Sequence, residues 1–170
     1  SFNTVREFEC WTVELCDSDM EMIIRALASH SRLTKVNLSE NRVGGRSLAA
    51  LAALLSNPLS SLANLSLWDC SLDDDGASIL AATLGDNSTL TTIDLSRNRE
   101  ITATGWRAFS AVLQNPNSAV EKVDLTRNYI GNDTLASFAN SLMGNNKLEE
   151  LFVGYVEDDI ALTNWDALSN

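Results

Sequence analysis

The chain has 170 residues, 45% of them apolar, which is enough to build one elongated domain around a continuous core. Its 23 acidic and 12 basic side chains give a formal net charge of -11, which would repel a phosphate backbone, so no nucleic-acid partner is expected. The longest apolar stretch, residues 48–55, falls far short of the ~20 residues a membrane-crossing helix needs, so no membrane insertion is expected, and no signal-peptide pattern is read at the start.

One pattern, Leu-x-x-Leu-x-Leu-x-x-Asn-x-Leu, recurs along the chain. A frayed copy begins at Val5 and continues through Phe8, Cys10, Val13 and Leu15. A clear one follows with Leu33, Val36, Leu38, Asn41 and Val43, then another with Leu62, Leu65, Leu67, Cys70 and Leu72. The fourth copy has Leu90, Ile93, Leu95, Asn98 and Ile101, with one extra residue before the last, and the fifth has Val120, Val123, Leu125, Asn128 and Ile130. A second frayed copy starts at Leu148 with Leu151 and Val153. Starts at 5, 33, 62, 90, 120 and 148 are 28 to 30 residues apart, the period of a stacked solenoid. No linker interrupts the register, so residues 1–170 are read as a single domain.

Each copy alternates apolar and polar residues at period two, as in Thr34-Lys-Val-Asn-Leu-Ser39, and then changes to helical spacing. The pattern predicts six parallel strands near residues 8–10, 36–38, 65–67, 93–95, 123–125 and 151–153, with Leu38, Leu67, Leu95 and Leu125 in one buried column. Helices are predicted after Asp74-Asp75-Gly76, where Ile79, Leu80 and Leu84 form the apolar stripe, and after Thr104-Gly105, where Trp106, Phe109, Val112 and Leu113 do. Asn57-Pro58, Asn115-Pro116 and Asn145-Asn146 stop the helices. Helices are about 10 Å wide and strands sit about 4.8 Å apart, so the stack must curve, with the sheet on its concave face. The ninth-position Asn, replaced by Cys at residue 70, is expected to turn inward and satisfy backbone groups at the bend.

This repeat resembles the leucine-rich repeat family, and its length matches the helix-bearing subclass typified by ribonuclease inhibitor. The resemblance implies an α/β solenoid, a horseshoe with a concave parallel sheet and convex helices, acting as a binding scaffold. It does not choose a partner, because the matched residues build the repeat instead of meeting a ligand.

The repeats also alternate in pairs. Leu55-Ser-Asn-Pro58 is echoed by Leu113-Gln-Asn-Pro116, and Trp106-Arg-Ala-Phe-Ser110 by Trp165-Asp-Ala-Leu-Ser169. Neither end shows a polar cap, so the expectation is a piece of a longer array, open to assembly through its ends.

Parts for catalysis are missing. His30 is the only histidine, placed at a helix exit in Ala28-Ser-His-Ser31 and expected to be exposed or capping, and no serine or cysteine sits in a nucleophile motif beside it. Asp73-Asp74-Asp75-Gly76 fails as a calcium loop, since a Gly at position six puts Ala82 where Glu is required, and the aspartates are read as helix caps instead. The chain is therefore expected to be no enzyme and to need no metal or cofactor. Three cysteines without a disulfide framework point to free thiols in an intracellular, reducing compartment. The sequons at Asn37, Asn64, Asn87 and Asn132 argue only weakly against it, since the first two fall on the predicted sheet.

The candidate site is the set of variable strand positions facing the concavity. The fifth position carries Glu9, Asn37, Ser66, Asp94, Asp124 and Phe152; the seventh Trp11, Ser39, Trp68, Ser96, Thr126 and Gly154; the eighth Thr12, Glu40, Asp69, Arg97, Arg127 and Tyr155. Trp68 flanked by Glu40, Asp69 and Arg97 has the composition of an interface hot spot, with Asp94 and Asp124 alongside, and Phe152 and Tyr155 beside Arg127 form a second cluster. The leading expectation is a non-catalytic scaffold for a protein partner, one with a basic surface given the acidity. The alternatives are a structural subunit docked through ends or convex helices, and a GTPase activator of the leucine-rich repeat type.

Overall fold

The computed structural model describes residues 4–13 and 15–154. Six strands, β1 (Glu7–Glu9), β2 (Lys35–Asn37), β3 (Asn64–Ser66), β4 (Thr92–Asp94), β5 (Lys122–Asp124) and β6 (Glu150–Phe152), form one parallel sheet in chain order. Five helices alternate with them: α1 (Asp17–Leu27), α2 (Gly45–Leu55), α3 (Asp74–Asp86), α4 (Ala103–Gln114) and α5 (Asn132–Leu142). Phe8, Val36, Leu65, Ile93, Val123 and Leu151 lie opposite one another across the five strand pairs, so the repeats stack without slippage.

Every strand begins and ends about one residue earlier than its predicted position. In β2 to β5 the cause is the sixth-position leucine. Its N–H still joins the ladder, as in Leu38 N to Ser66 O at 3.0 Å and Leu67 N to Asp94 O at 2.9 Å. Its carbonyl, however, turns to a side chain: Asn41 Nδ2 donates to Leu38 O, Asn98 Nδ2 to Leu95 O and Asn128 Nδ2 to Leu125 O, at 3.0 to 3.1 Å. Leu38, Leu67, Leu95 and Leu125 all have 0% exposure and form the expected column. Burying each contributes roughly 1.5–3 kcal/mol.

The turns leaving β1 to β5 pass through a left-handed residue at the eighth position, with φ of 57° at Thr12, 56° at Glu40, 51° at Asp69, 59° at Arg97 and 60° at Arg127. None is glycine, so each costs about 1–2 kcal/mol. The inward asparagine offsets that cost. Asn98 donates to Leu67 O, Leu95 O and Ser96 O while its Oδ1 accepts from the amides of Cys70 and Leu72 at 3.0 Å, so one amide side chain satisfies five backbone groups in two repeats. A second row holds the helix exits: Asn87, Asn115 and Asn145 each donate to a carbonyl at the end of the preceding helix, at Leu55, Gly85 and Leu113.

On the helical side, Trp106 and Phe109 are fully buried and meet edge to face, with ring centroids 6.2 Å apart at 86°. The triple aspartate does more than cap its own helix. Asp73 accepts from Gly76 N at 2.9 Å, but Asp74 reaches across to α4, accepting from Thr102 N and Oγ1 at 2.7 Å and from Gly105 N at 3.0 Å. Asp17, 57 residues earlier, does the same for α2 through Gly44 N, Arg46 N, Ser47 N and the Ser47 hydroxyl. Gly105 has to be glycine here, because a Cβ would stand 2.6 Å from Asp74 Oδ1. The pairwise alternation of the sequence thus has a structural counterpart: α1 caps α2 and α3 caps α4. Trp165-Asp-Ala-Leu-Ser169, the sequence echo of the start of α4, lies outside the described residues.

Candidate functional site

Alternation along the strands turns the third, fifth and seventh residues of each repeat into the concavity, and register aligns them across repeats. Ladder bonds from Thr12 N to Ser39 O, Glu40 N to Trp68 O, Asp69 N to Ser96 O, Arg97 N to Thr126 O and Arg127 N to Gly154 O carry the alignment through the seventh and eighth positions. Trp68 therefore stands between Ser39 and Ser96, near the middle of the sheet. Both serines are nearly flush, at 4% and 5% exposure, while Trp68 is half-buried.

Trp68 is held by its neighbours. The Arg97 guanidinium lies 5.7 Å from the centre of its ring, and Arg97 Nε is 3.2 Å from Asp69 Oδ2. A cation over an indole face is attracted by the ring quadrupole, and Asp69 fixes the cation from the other side. The three residues come from two adjacent turns, and the left-handed backbone at Asp69 and Arg97 brings them together.

The fifth position is partly occupied by internal work that the sequence did not reveal. Asn37 Oδ1 accepts from Ser39 N at 3.0 Å, Asp94 Oδ1 from Ser96 N at 2.9 Å and Asp124 Oδ1 from Thr126 N at 2.8 Å, each closing a local side-chain turn at the strand end. Asp94 also receives the Ser96 and Ser66 hydroxyls, and Ser66 in turn contacts Ser39 Oγ at 2.8 Å. At the third position Lys35 meets Glu9 at 2.7 Å and Lys122 meets Glu150 at 2.6 Å. The carboxylate hydrogen bond is the main reason each ammonium titrates above its usual value. These pairs are exposed, so they align the rim and add little stability.

Carboxylates of Glu7, Glu9, Glu40, Asp69, Asp94, Asp124 and Glu150 face or border the described sheet, against Lys35, Arg97, Lys122 and Arg127. Arg127 is exposed, and Phe152 is 49% exposed at the last described strand. Trp11, at 56%, marks the first. Tyr155, the remaining candidate, lies outside the described residues, so the structure brings together Trp68, Asp69 and Arg97 and describes Arg127 and Phe152 of the second cluster.

No group of three or more His, Cys, Asp or Glu side chains suited to a metal ion occurs among the described residues. His30 is half-buried at the exit of α1, where its backbone N–H donates to Leu27 O and its carbonyl accepts from Leu33 N, and its Nδ1 is buried without a hydrogen-bond partner. Cys10, Cys16 and Cys70 are all free thiols. Burial pushes the Cys70 thiol up to about 12, which leaves it inert as a nucleophile near neutral pH. No helix among the described residues is long and apolar enough to cross a membrane.

Known proteins share this repeat. The family model described as Leucine Rich repeat matches residues 30–52 and 86–110. NACHT, LRR and PYD domains-containing protein 5 of Mus musculus is 32% identical over 151 residues, covering 89% of this chain and 13% of its own length. Ribonuclease inhibitor of Sus scrofa is 32% identical over 103 residues, covering 61% of this chain and 22% of its own. The chain thus spans under a quarter of either relative. Among solved structures, Leiomodin-1 Actin-Binding Site 2 superposes with a TM-score of 0.54 at 19% identity, covering 93% of this chain and 74% of that one, a likeness of fold alone. With six parallel strands in sequence order, five helices on the other side and these matches, the chain belongs to the leucine-rich repeat proteins of the ribonuclease-inhibitor-like type.

Proposed function

We propose that the chain is a non-catalytic interaction scaffold that binds a protein partner on its concave sheet. The observation that carries this reading is Trp68: a large aromatic on the sheet face away from the core, pre-oriented by Arg97 and Asp69. A rigid aromatic loses little entropy when a partner covers it, the property that concentrates binding energy in hot spots. Ribonuclease inhibitor, by its name, has a protein target, which supports a scaffold role for a chain built from the same repeat.

The excess of carboxylates on and around the sheet favours a partner with a basic surface, through faster encounter and rejection of acidic competitors. Free cysteines suit a reducing compartment. The sequons do not oppose it strongly: Asn87 is 6% exposed and donates to Leu55 O, while Asn37 and Asn64 lie on the sheet, where a glycan would block the face.

Site-specific photocrosslinking tests the reading. A photoreactive side chain placed at Ser66 or Thr126 on the concave face, and separately at Ala53 or Ala82 on exposed helical surface, is irradiated with an extract of the native source. The expected result is one dominant protein adduct from the concave positions only. Adducts from the helical positions alone would replace the reading with a subunit docked through its convex side.

A further inference from the structure

The junctions between repeats are not equally tied. Between the first and second repeats, Asn41 Nδ2 donates to Cys10 O at 2.7 Å, its Oδ1 accepts from Leu15 N at 3.3 Å, and Asp17 clamps the start of α2. Between the third and fourth, Asn98 spans the turn and Asp74 clamps the start of α4. The second-to-third junction lacks both devices. Its ninth position is Cys70, whose thiol donates to Leu38 O at 3.3 Å, a weaker bond than an amide makes. The residue matching Asp17 and Asp74 at the start of α2 is Gly45, which has no side chain to send across, and α3 is capped from within by Asp73.

The helices part at the same place. A groove of about 530 Å³ opens between the starts of α2 and α3, lined by Arg42, Gly45, Leu48, Asp73 and Ile79, and one of about 410 Å³ opens between their ends, lined by Ser56, Asn57, Thr83 and Asp86. Beyond the strand ladder, Asn87 at Leu55 O and the Ser39–Ser66 hydroxyl pair help hold the junction.

We infer that this junction is a built-in hinge, about which the clamped pairs α1–α2 and α3–α4 move as rigid blocks. The turn of Glu40 belongs to one block and the Trp68–Asp69–Arg97 cluster to the other, so hinge motion changes the spacing across the concave face. The clamps recur every two repeats, as the sequence alternation does, so a hinge between pairs is what that alternation encodes.

Hydrogen exchange on the full chain, resolved by residue, tests this. Ladder amides across the hinge, those of Leu38, Glu40 and Asn64, are expected to exchange about tenfold faster through local opening than those of Leu67, Asp69 and Thr92 across the clamped junction. Cys70→Asn restores the missing side-chain bonds and should slow the hinge amides about fivefold without affecting the clamped set. Asp74→Asn should raise exchange across the clamped junction toward the hinge rate, and it keeps the test decisive should Cys70→Asn not fold. Equal protection at both junctions, a folded Cys70→Asn that leaves the hinge unchanged, or an Asp74→Asn that leaves the clamped junction unchanged overturns the inference.

Discussion

Trp106 and Trp68 stand on opposite sides of neighbouring repeats, and the contrast separates what holds this molecule together from what the proposed partner would cover. Trp106 is completely enclosed between helices, against Phe109, and its energy is used in folding. Trp68 keeps part of its surface on the concave side and rests on charged neighbours that are themselves at the surface. The same side chain is a structural element on the helical layer and an uncommitted one on the sheet. In a solenoid, where each repeat contacts only its neighbours, those two roles can be changed separately.

Trp106→Ala has the largest expected effect: it leaves a cavity in the helical layer and should cost about 3–5 kcal/mol in denaturant unfolding, enough to unfold a marginal array. Asn98→Ala comes next. It strands the amides of Cys70 and Leu72 and the carbonyl of Leu67 in the core, while Leu95 O keeps its bond from Asn128, and the expected loss is about 2–3 kcal/mol by the same measurement.

Asp17→Asn and Asp74→Asn should each cost about 1 kcal/mol, the usual value of a helix cap. Their pH dependence has a definite sign. For Asp17 burial raises the carboxyl, but the Ser47 hydroxyl and the amides of Ser47, Arg46 and Gly44 together hold it below its ordinary 3.8. For Asp74 the Thr102 hydroxyl bond leads, burial opposes, and the Thr102 and Gly105 amides add to the lowering. Folded values below unfolded ones mean the stabilisation is complete above the ordinary carboxyl range and is lost as pH falls through the lowered values. Thermal unfolding from pH 7 to pH 3 should show the wild type losing stability at the acid end, and the double Asn variant losing less of it there.

Smallest of all is Trp68→Ala, expected to change stability by under about 1 kcal/mol, since only a half-buried ring and one cation–π contact of roughly that size are removed. A cost near that of Trp106→Ala would make Trp68 part of the core.

The repeat frame was legible in the sequence because its signal is redundant. The starts at 33, 62, 90 and 120, the leucine column and the inward asparagines each restate one pattern, and the stack needs all of them. What stayed hidden depends on backbone twist and on side chains crossing between repeats. Glu40, Arg97 and Arg127 give no hint of a left-handed turn, which glycine, asparagine or aspartate would have given. Asp74 reads as a cap for its own helix, and only the packing of α4 shows that it serves the neighbour. Asp94 and Asp124 read as free acids facing a partner, yet each commits an oxygen to the amide two residues on. The Trp68 cluster was legible as composition, while its geometry depended on the register between turns.

The affinity of the photocrosslinked partner for the wild type and for Trp68→Ala, measured by calorimetry beside the melting temperature of both, tests the concave-face account most directly. Trp68→Ala is expected to weaken binding about 30-fold or more while the melting temperature stays nearly unchanged. An unchanged affinity would contradict it.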